Sequence, residues 1–210
     1  MRYVKMLGLA AVSALALTAL LGAGSASATV LCSVYKVPCP KGAALKSGTA
    51  IELSLRKGAS LAVTDIAKNL IATCTESVMN GKTTNTGKKE EAVTGNVEGL
   101  TFGKCTAAFK VLKLGTFEVT YKGPNTRGEF VSVGGEVTVN DMGLSCDYGT
   151  VGGVEMGIME SDETENPDFF EEEATMKKEE GGFLCPGSII VKGIYEITAP
   201  AKVFFKEEEA

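Results

Sequence analysis

Six cysteines, Cys32, Cys39, Cys74, Cys105, Cys146 and Cys185, constrain this chain more than any other feature, because all of them follow an export signal. The opening MRYVK carries Arg2 and Lys5, an apolar run extends from Met6 to Leu21, and small residues lead to Ala26-Ser27-Ala28. A basic start, an apolar centre and an A-x-A site predict cleavage after Ala28, leaving 1–28 as signal peptide and 29–210 as one domain. The apolar run is short for a membrane span. Val30-Leu31 before Cys32 is not the small-residue box of a lipid-anchored protein. The expected location is therefore secreted and extracellular, or at the cell envelope, with no stable membrane insertion after cleavage. An even cysteine count in an oxidising compartment predicts disulfides. With no C-x-x-C and no histidine, zinc and dithiol redox readings have little to stand on, and no cofactor or metal ligand set is expected.

Six cysteines allow fifteen pairings, and an internal similarity selects one. Gly48 to Ser54 (GTAIELS) follows Cys39, Gly115 to Thr120 (GTFEVT) follows Cys105, and Gly193 to Thr198 (GIYEIT) follows Cys185. Each is glycine and then apolar-Glu-apolar-Ser/Thr, eight to ten residues after the second cysteine of a pair. The chain thus reads as repeat units 74–120 and 146–198 behind a shortened N-terminal one. Equivalent units imply equivalent braces: 32–39, 74–105 and 146–185.

The same segments alternate apolar and polar residues, the pattern of a half-buried strand. Leu61–Val63, Leu70–Thr75, Phe109–Leu114, Phe130–Val133, Val137–Val139 and Ile189–Val191 add shorter β-type runs. Turn signals fall at Asn80-Gly81, Gly123-Pro124, Gly134-Gly135 and Gly152-Gly153. Short strands at about ten-residue intervals predict an all-β fold, a single disulfide-braced sandwich or barrel-like domain. Strand glutamates and threonines should face solvent.

Two stretches depart from this rhythm, and the first, Gly81 to Val93 (GKTTNTGKKEEAV), reads as a polar loop inside the expected 74–105 bridge. The second, Glu160 to Glu180 (ESDETENPDFFEEEATMKKEE), holds ten acidic residues in twenty-one. Asp168 and Glu171 stand at capping-box spacing, Glu173 and Lys177 at a supportive i,i+4 spacing, and Gly181-Gly182 offers a stop. The expectation is a short surface helix near 168–180. Asp162, Glu163, Glu165 and Asp168 are hard oxygen ligands of the kind calcium takes, but Pro167 stands where an EF-hand needs its turn glycine. A solvated acidic excursion is the preferred reading.

Catalytic signatures are sparse. There is no nucleophile elbow, P-loop or dinucleotide fingerprint. Without histidine the commonest general base is missing. Ser33–Lys36 and Ser54–Lys57 have serine–lysine spacing, but the second pair lies on an expected strand, where i and i+3 point to opposite faces. Tyr35, Tyr121, Tyr148 and Tyr195 read as strand packing in preference to ligand platforms. Loss of Arg2 and Lys5 takes the net charge from −5 to −7, which repels phosphate backbones and argues against nucleic acid as a partner.

The leading Cys32–Cys39 spacing, the middle ATCTES and GLTFGKC segments and the late CPGS and GIYEI segments together resemble a group of uncharacterised secreted six-cysteine β proteins. These occur in paralogous sets in soil actinobacteria. The resemblance implies a secreted β domain and transfers no active site. The functional expectation is an exported structural or binding module at or outside the cell surface, meeting an envelope or extracellular ligand. The alternatives are a secreted carboxylate-dependent hydrolase and calcium-dependent adhesion through 160–180.

Overall fold

The computed structural model describes residues 28–36, 39–87, 91–122, 127–160, 169–200 and 203–208. Residues 1–27 of the expected signal peptide lie outside this set, as do Asp162, Glu163, Glu165 and Asp168 of the acidic stretch. Fourteen strands form among the described residues. They are β1 (Ala28–Cys32), β2 (Ala50–Leu55), β3 (Leu61–Asp65), β4 (Leu70–Thr83), β5 (Val93–Cys105), β6 (Ala108–Lys113) and β7 (Thr116–Tyr121). The second half comprises β8 (Arg127–Val133), β9 (Glu136–Asp141), β10 (Leu144–Gly149), β11 (Val154–Glu160), β12 (Phe169–Gly181), β13 (Ser188–Ala199) and β14 (Phe204–Glu208). No helix occurs among the described residues, and so none long and apolar enough to cross a membrane.

Strands β2 to β13 join one antiparallel sheet, and their registers arrange them in eight rows. Ala50 on β2 faces Lys82, and Leu61 on β3 faces Cys74, so the two short strands run in line along β4. They run in line along β13 as well, where Leu55 faces Tyr195 and Ala62 faces Lys192. In the same way β6 continues into β7, β9 continues β8, and β11 continues β10. The long strands β4, β5, β12 and β13 each fill a row. Following the pairings from β4 through β5, β7, β8, β11, β12, β13 and β2 leads back to β4. The body is all-β and sandwich-like, and its hydrogen-bonded path closes on itself.

The interrupted rows share a waist. Gly115 and Gly134 sit there at φ 71° and 72°, a region that L-residues with a Cβ avoid. A Cβ on Gly115 would also lie 2.4 Å from the Val133 carbonyl oxygen. Next to them the Gly134 amide donates to the Thr150 carbonyl at 3.0 Å, and the Thr150 amide donates to that of Gly135 at 2.9 Å. One join of the circuit is incomplete. The Val93–Asn96 end of β5 pairs with β7, but among the described residues no ladder joins the rest of β5 to β6.

Alternation fills the interior. On β7, Phe117 and Val119 are buried while Thr116 and Glu118 are exposed, and the Phe117 ring stacks on Phe130 with centroids 5.6 Å apart. The β1–β14 ribbon lies at the end of the body where β7 finishes. There the Tyr121 amide donates to Thr29 Oγ1 at 2.8 Å, and Val30, Leu31, Val203 and Phe204 are buried.

The disulfides join 32–39, 74–105 and 146–185, the pairing expected from the repeat. They are not alike in setting: Cys74 faces Cys105 across β4 and β5, whereas Cys146–Cys185 ties β10 to the loop after β12.

Two sequence expectations are corrected. The surface helix near 168–180 does not form; Phe169–Gly181 is β12. Its helix formers are overridden because β12 has partners on both edges, β10 and β11 on one side and β13 on the other. From Glu173 to Lys177 its burial alternates, with Ala174 and Met176 inside and Glu173, Thr175 and Lys177 outside. Glu173 meets Lys192 of β13 at 2.8 Å in place of the i,i+4 pair with Lys177. Asn80-Gly81, read as a turn, lies inside β4. There Gly81 serves close approach, since a Cβ would lie 2.4 Å from the Asn96 carbonyl oxygen.

Candidate functional site

The inward faces of these rows do not quite fill the space between them. A cavity of about 90 Å³ remains, roughly three water volumes. Leu53, Leu61 and Val63 of β2 and β3 form one wall, and Met176, Ile189 and Val191 of β12 and β13 continue it. Leu61, Val63 and Ile189 are at most 1% exposed, so this wall is fixed by the surrounding core.

The opposite side lies at the incomplete join. Leu100 and Phe102 of β5 and Phe109 and Leu114 on the β6 side line the cavity, and all four are only half-buried. Phe102 and Phe109 meet across the join with ring centroids 4.9 Å apart. Beyond the two-residue link 106–107 that joins them, β5 and β6 meet here through side chains without a backbone ladder. Rotamer motion there needs no backbone hydrogen bond to break, which makes the join the natural entrance.

Polar groups at the cavity are already satisfied. Thr150, 2% exposed, accepts the Gly135 amide on its hydroxyl at 2.8 Å, and that hydroxyl lies 3.1 Å from Ser132 Oγ. Tyr195 turns its hydroxyl to donate to Ser77 Oγ at 3.0 Å. A wall whose donors and acceptors are engaged elsewhere offers a guest dispersion contacts and little else.

Charge enters only at the rim. Lys113 pairs with Glu136, the single carboxylate of the lining. The hydrogen bond and charge of Glu136, with further help from Glu179 and Glu180, hold the Lys113 ammonium above the usual lysine range. The one ammonium of the lining is thus engaged by Glu136, which leaves an anionic guest no cation to meet there. A glycosidase-type pair needs two carboxyl groups facing across the cleft, and this lining supplies one.

None of the six cysteines lines the cavity, and none is free. Tyr195 touches it with its ring, while Tyr148 is packed in the core and Tyr35 stands edge-on to Phe204 outside it. Among the described residues no group of three or more Cys, Asp or Glu side chains could hold a metal ion. Sequence reasoning missed the cavity because its lining is spread over ten strands, each an ordinary alternating run. The available signal was the set of inward methionines, Met79, Met156 and Met176, a residue type that accommodates irregular space. Comparison with known proteins finds no family model, no curated protein and no solved structure that matches this chain.

Proposed function

We propose that this protein is an exported binding module that holds a small, uncharged, apolar molecule inside a disulfide-braced β body. The observation that carries the reading is the 90 Å³ apolar cavity beside the one join that lacks a backbone ladder. The closed path of pairings supports a barrel-like description, with β5 and β6 as its parted staves. Three disulfides fit an oxidising compartment, in keeping with the signal peptide read from residues 1–28 and a site of action at or outside the cell surface. The pairing of Lys113, the one cation of the lining, with Glu136 supports a neutral guest over a fatty acid.

Size bounds the guest further. An engineered apolar cavity of about 150 Å³ takes benzene, so this one accepts a guest of that size only with displacement of Phe102, Phe109 or a lining methionine. The test is titration of the folded, oxidised protein with benzene and with butyrate, read by methyl carbon–proton NMR. Saturable shifts confined to Leu61, Val63, Ile189 and Val191 with benzene, and none with butyrate, are expected. Shifts that are absent up to the solubility of benzene, or spread over surface methyls, refute the reading.

A further inference from the structure

The two ends of the body differ in a way the cavity does not explain. Asp65 faces Ile189 and Cys146 faces Gly181, so the β3–β4, β9–β10 and β12–β13 connections all emerge at one end. Among the described residues, five of the six large apolar residues that are at least 60% exposed gather there; the sixth, Val151 at 70%, stands in the β10–β11 connection at the waist. Met142 and Phe183 are 95% and 93% exposed, and Ile66, Leu70 and Leu184 are 72%, 65% and 60% exposed. At the other end, 84–87, 91–92 and Lys122 contribute no large apolar residue, and Val34 and Tyr35 are only 41% and 37% exposed. Scattered exposed apolar residues are ordinary, but a set gathered at one end marks an interaction site.

Two of these tips are fastened to each other. Cys146 and Cys185, with Cα atoms 5.7 Å apart, hold Met142-Gly143-Leu144 beside Phe183-Leu184. Neither Met142–Cys146 (MGLSC) nor 181–188 (GGFLCPGS) includes a charged residue. The tips also satisfy their own polar groups. The Cys185 amide donates to the Gly182 carbonyl at 3.1 Å, and Lys178 Nζ donates to the Gly182 and Cys185 carbonyls, each at 3.4 Å. At the β3–β4 tip, Asn69 donates its backbone amide and its side-chain Nδ2 to the Asp65 carboxylate at 2.9 and 2.8 Å. Loops that can leave water need this, because an unsatisfied backbone group is costly in hydrocarbon.

We infer that this end of the protein seats its apolar tips shallowly in the surface of a lipid bilayer. A protein partner fits less well. A stable protein interface takes about 800 Å² from each side as one packed patch, whereas here the apolar side chains sit on strand connections, with Lys68 between Ile66 and Leu70 and Asp141 next to Met142. A lipid surface conforms to separate tips without needing a matching shape. Charges of both signs stand at and just behind the tips, Lys68 within the β3–β4 turn and Lys104 and Lys178 behind, against Asp65, Asp141 and Glu180, so no basic patch directs the protein to anionic headgroups. The chosen surface is therefore a zwitterionic one, bound through apolar contact. The inference rests on the export reading alone, and it stands or falls independently of the cavity.

The test is flotation of the exported protein, disulfides intact, with phosphatidylcholine vesicles, beside the double variant Met142→Ser/Phe183→Ser. Both positions are almost fully exposed, so the variant should keep its melting temperature. The native protein should float with the vesicles, the variant should lose roughly tenfold or more in partitioning, and neither 0.5 M salt nor added phosphatidylglycerol should matter. Since the chain has no tryptophan, Phe183→Trp gives an independent readout: its emission should shift to the blue on vesicle addition. A native protein that stays in the aqueous fraction, a variant that floats equally well, or an unshifted emission overturns the inference. So does light scattering that finds a concentration-dependent dimer abolished by the double variant, which would make the tips an interface between copies.

Discussion

Truncating Ile189 to alanine probes the packing around the cavity. Ile189 is completely buried, faces Met176 across β12 and β13, and contributes to the cavity wall. Ile189→Ala removes three carbon atoms from the core, about 2.4 kcal/mol at roughly 0.8 kcal/mol per methylene-sized group. The void left behind adds about 24 cal/mol per Å³ that the surroundings fail to refill. Here refilling is poor, because the new space merges with about 90 Å³ that side chains already leave unfilled, and a further 1–2 kcal/mol is roughly what an uncollapsed site of this size costs. The total, about 4 kcal/mol, is a large part of an ordinary domain's 5–15 kcal/mol. Urea unfolding of the oxidised protein measures it as a fall in midpoint at constant slope. Saturating benzene should then restore more stability to the variant than it adds to the native protein, because the enlarged space admits the ring without displacing Phe102 or Phe109. A loss below about 1 kcal/mol, or a variant that benzene does not rescue, refutes the argument that Ile189 closes an apolar, accessible cavity.

Other expectations follow from the braces and the surface. Replacing Cys74 and Cys105 together by alanine opens a closure of sequence separation 31, worth up to about 3.7 kcal/mol on the loop-entropy account; a melting temperature within a degree of native would show that the bridge does not act through the unfolded chain. At the β3–β4 tip, hydrogen bonds from the side chain and backbone of Asn69 hold the Asp65 carboxyl below the usual carboxylate range. A pKa lowered by folding contributes stability above the ordinary carboxylate range, and that contribution is lost as pH falls through the lowered value. The Asn69 amide resonance should therefore titrate below the ordinary aspartate range, and a midpoint at the ordinary value would contradict the contact. Millimolar calcium should leave the melting temperature unchanged if the acidic stretch 160–168 is a solvated excursion, and a rise of several degrees would revive a calcium site there.

Much of the architecture was legible because it is written locally. The apolar-Glu-apolar segments became β2, β7 and β13, and the cysteine pairing followed from their likeness. The 169–181 segment misled for the opposite reason. Its helix formers, its i,i+4 charge pair and its trailing glycines are signals within the segment, while its strand conformation comes from pairing with the strands before and after it, Gly157–Glu160 on one edge and Ser188–Glu196 on the other. Asn80-Gly81 has turn chemistry, but β4 is held extended through it by β2 and β5. Of the cavity, only the methionines Met79, Met156 and Met176 left a trace in the sequence. The cavity is space left over among side chains from ten strands, and no single strand records how well its neighbours fill the middle. The apolar end was hidden for a related reason: Met142 and Phe183 stand forty-one residues apart in the chain and come together only through Cys146–Cys185.

The central claim is that a small apolar guest occupies the space between β5 and β6 and the opposite wall. Crystals of the oxidised protein held under xenon pressure test it most directly, since xenon is apolar, uncharged and visible by anomalous scattering. The account predicts one strong peak within contact distance of Ile189, Val63 and Phe109, and a second, shifted peak when Ile189→Ala enlarges the site. An empty interior, or xenon found only at surface positions, would contradict it.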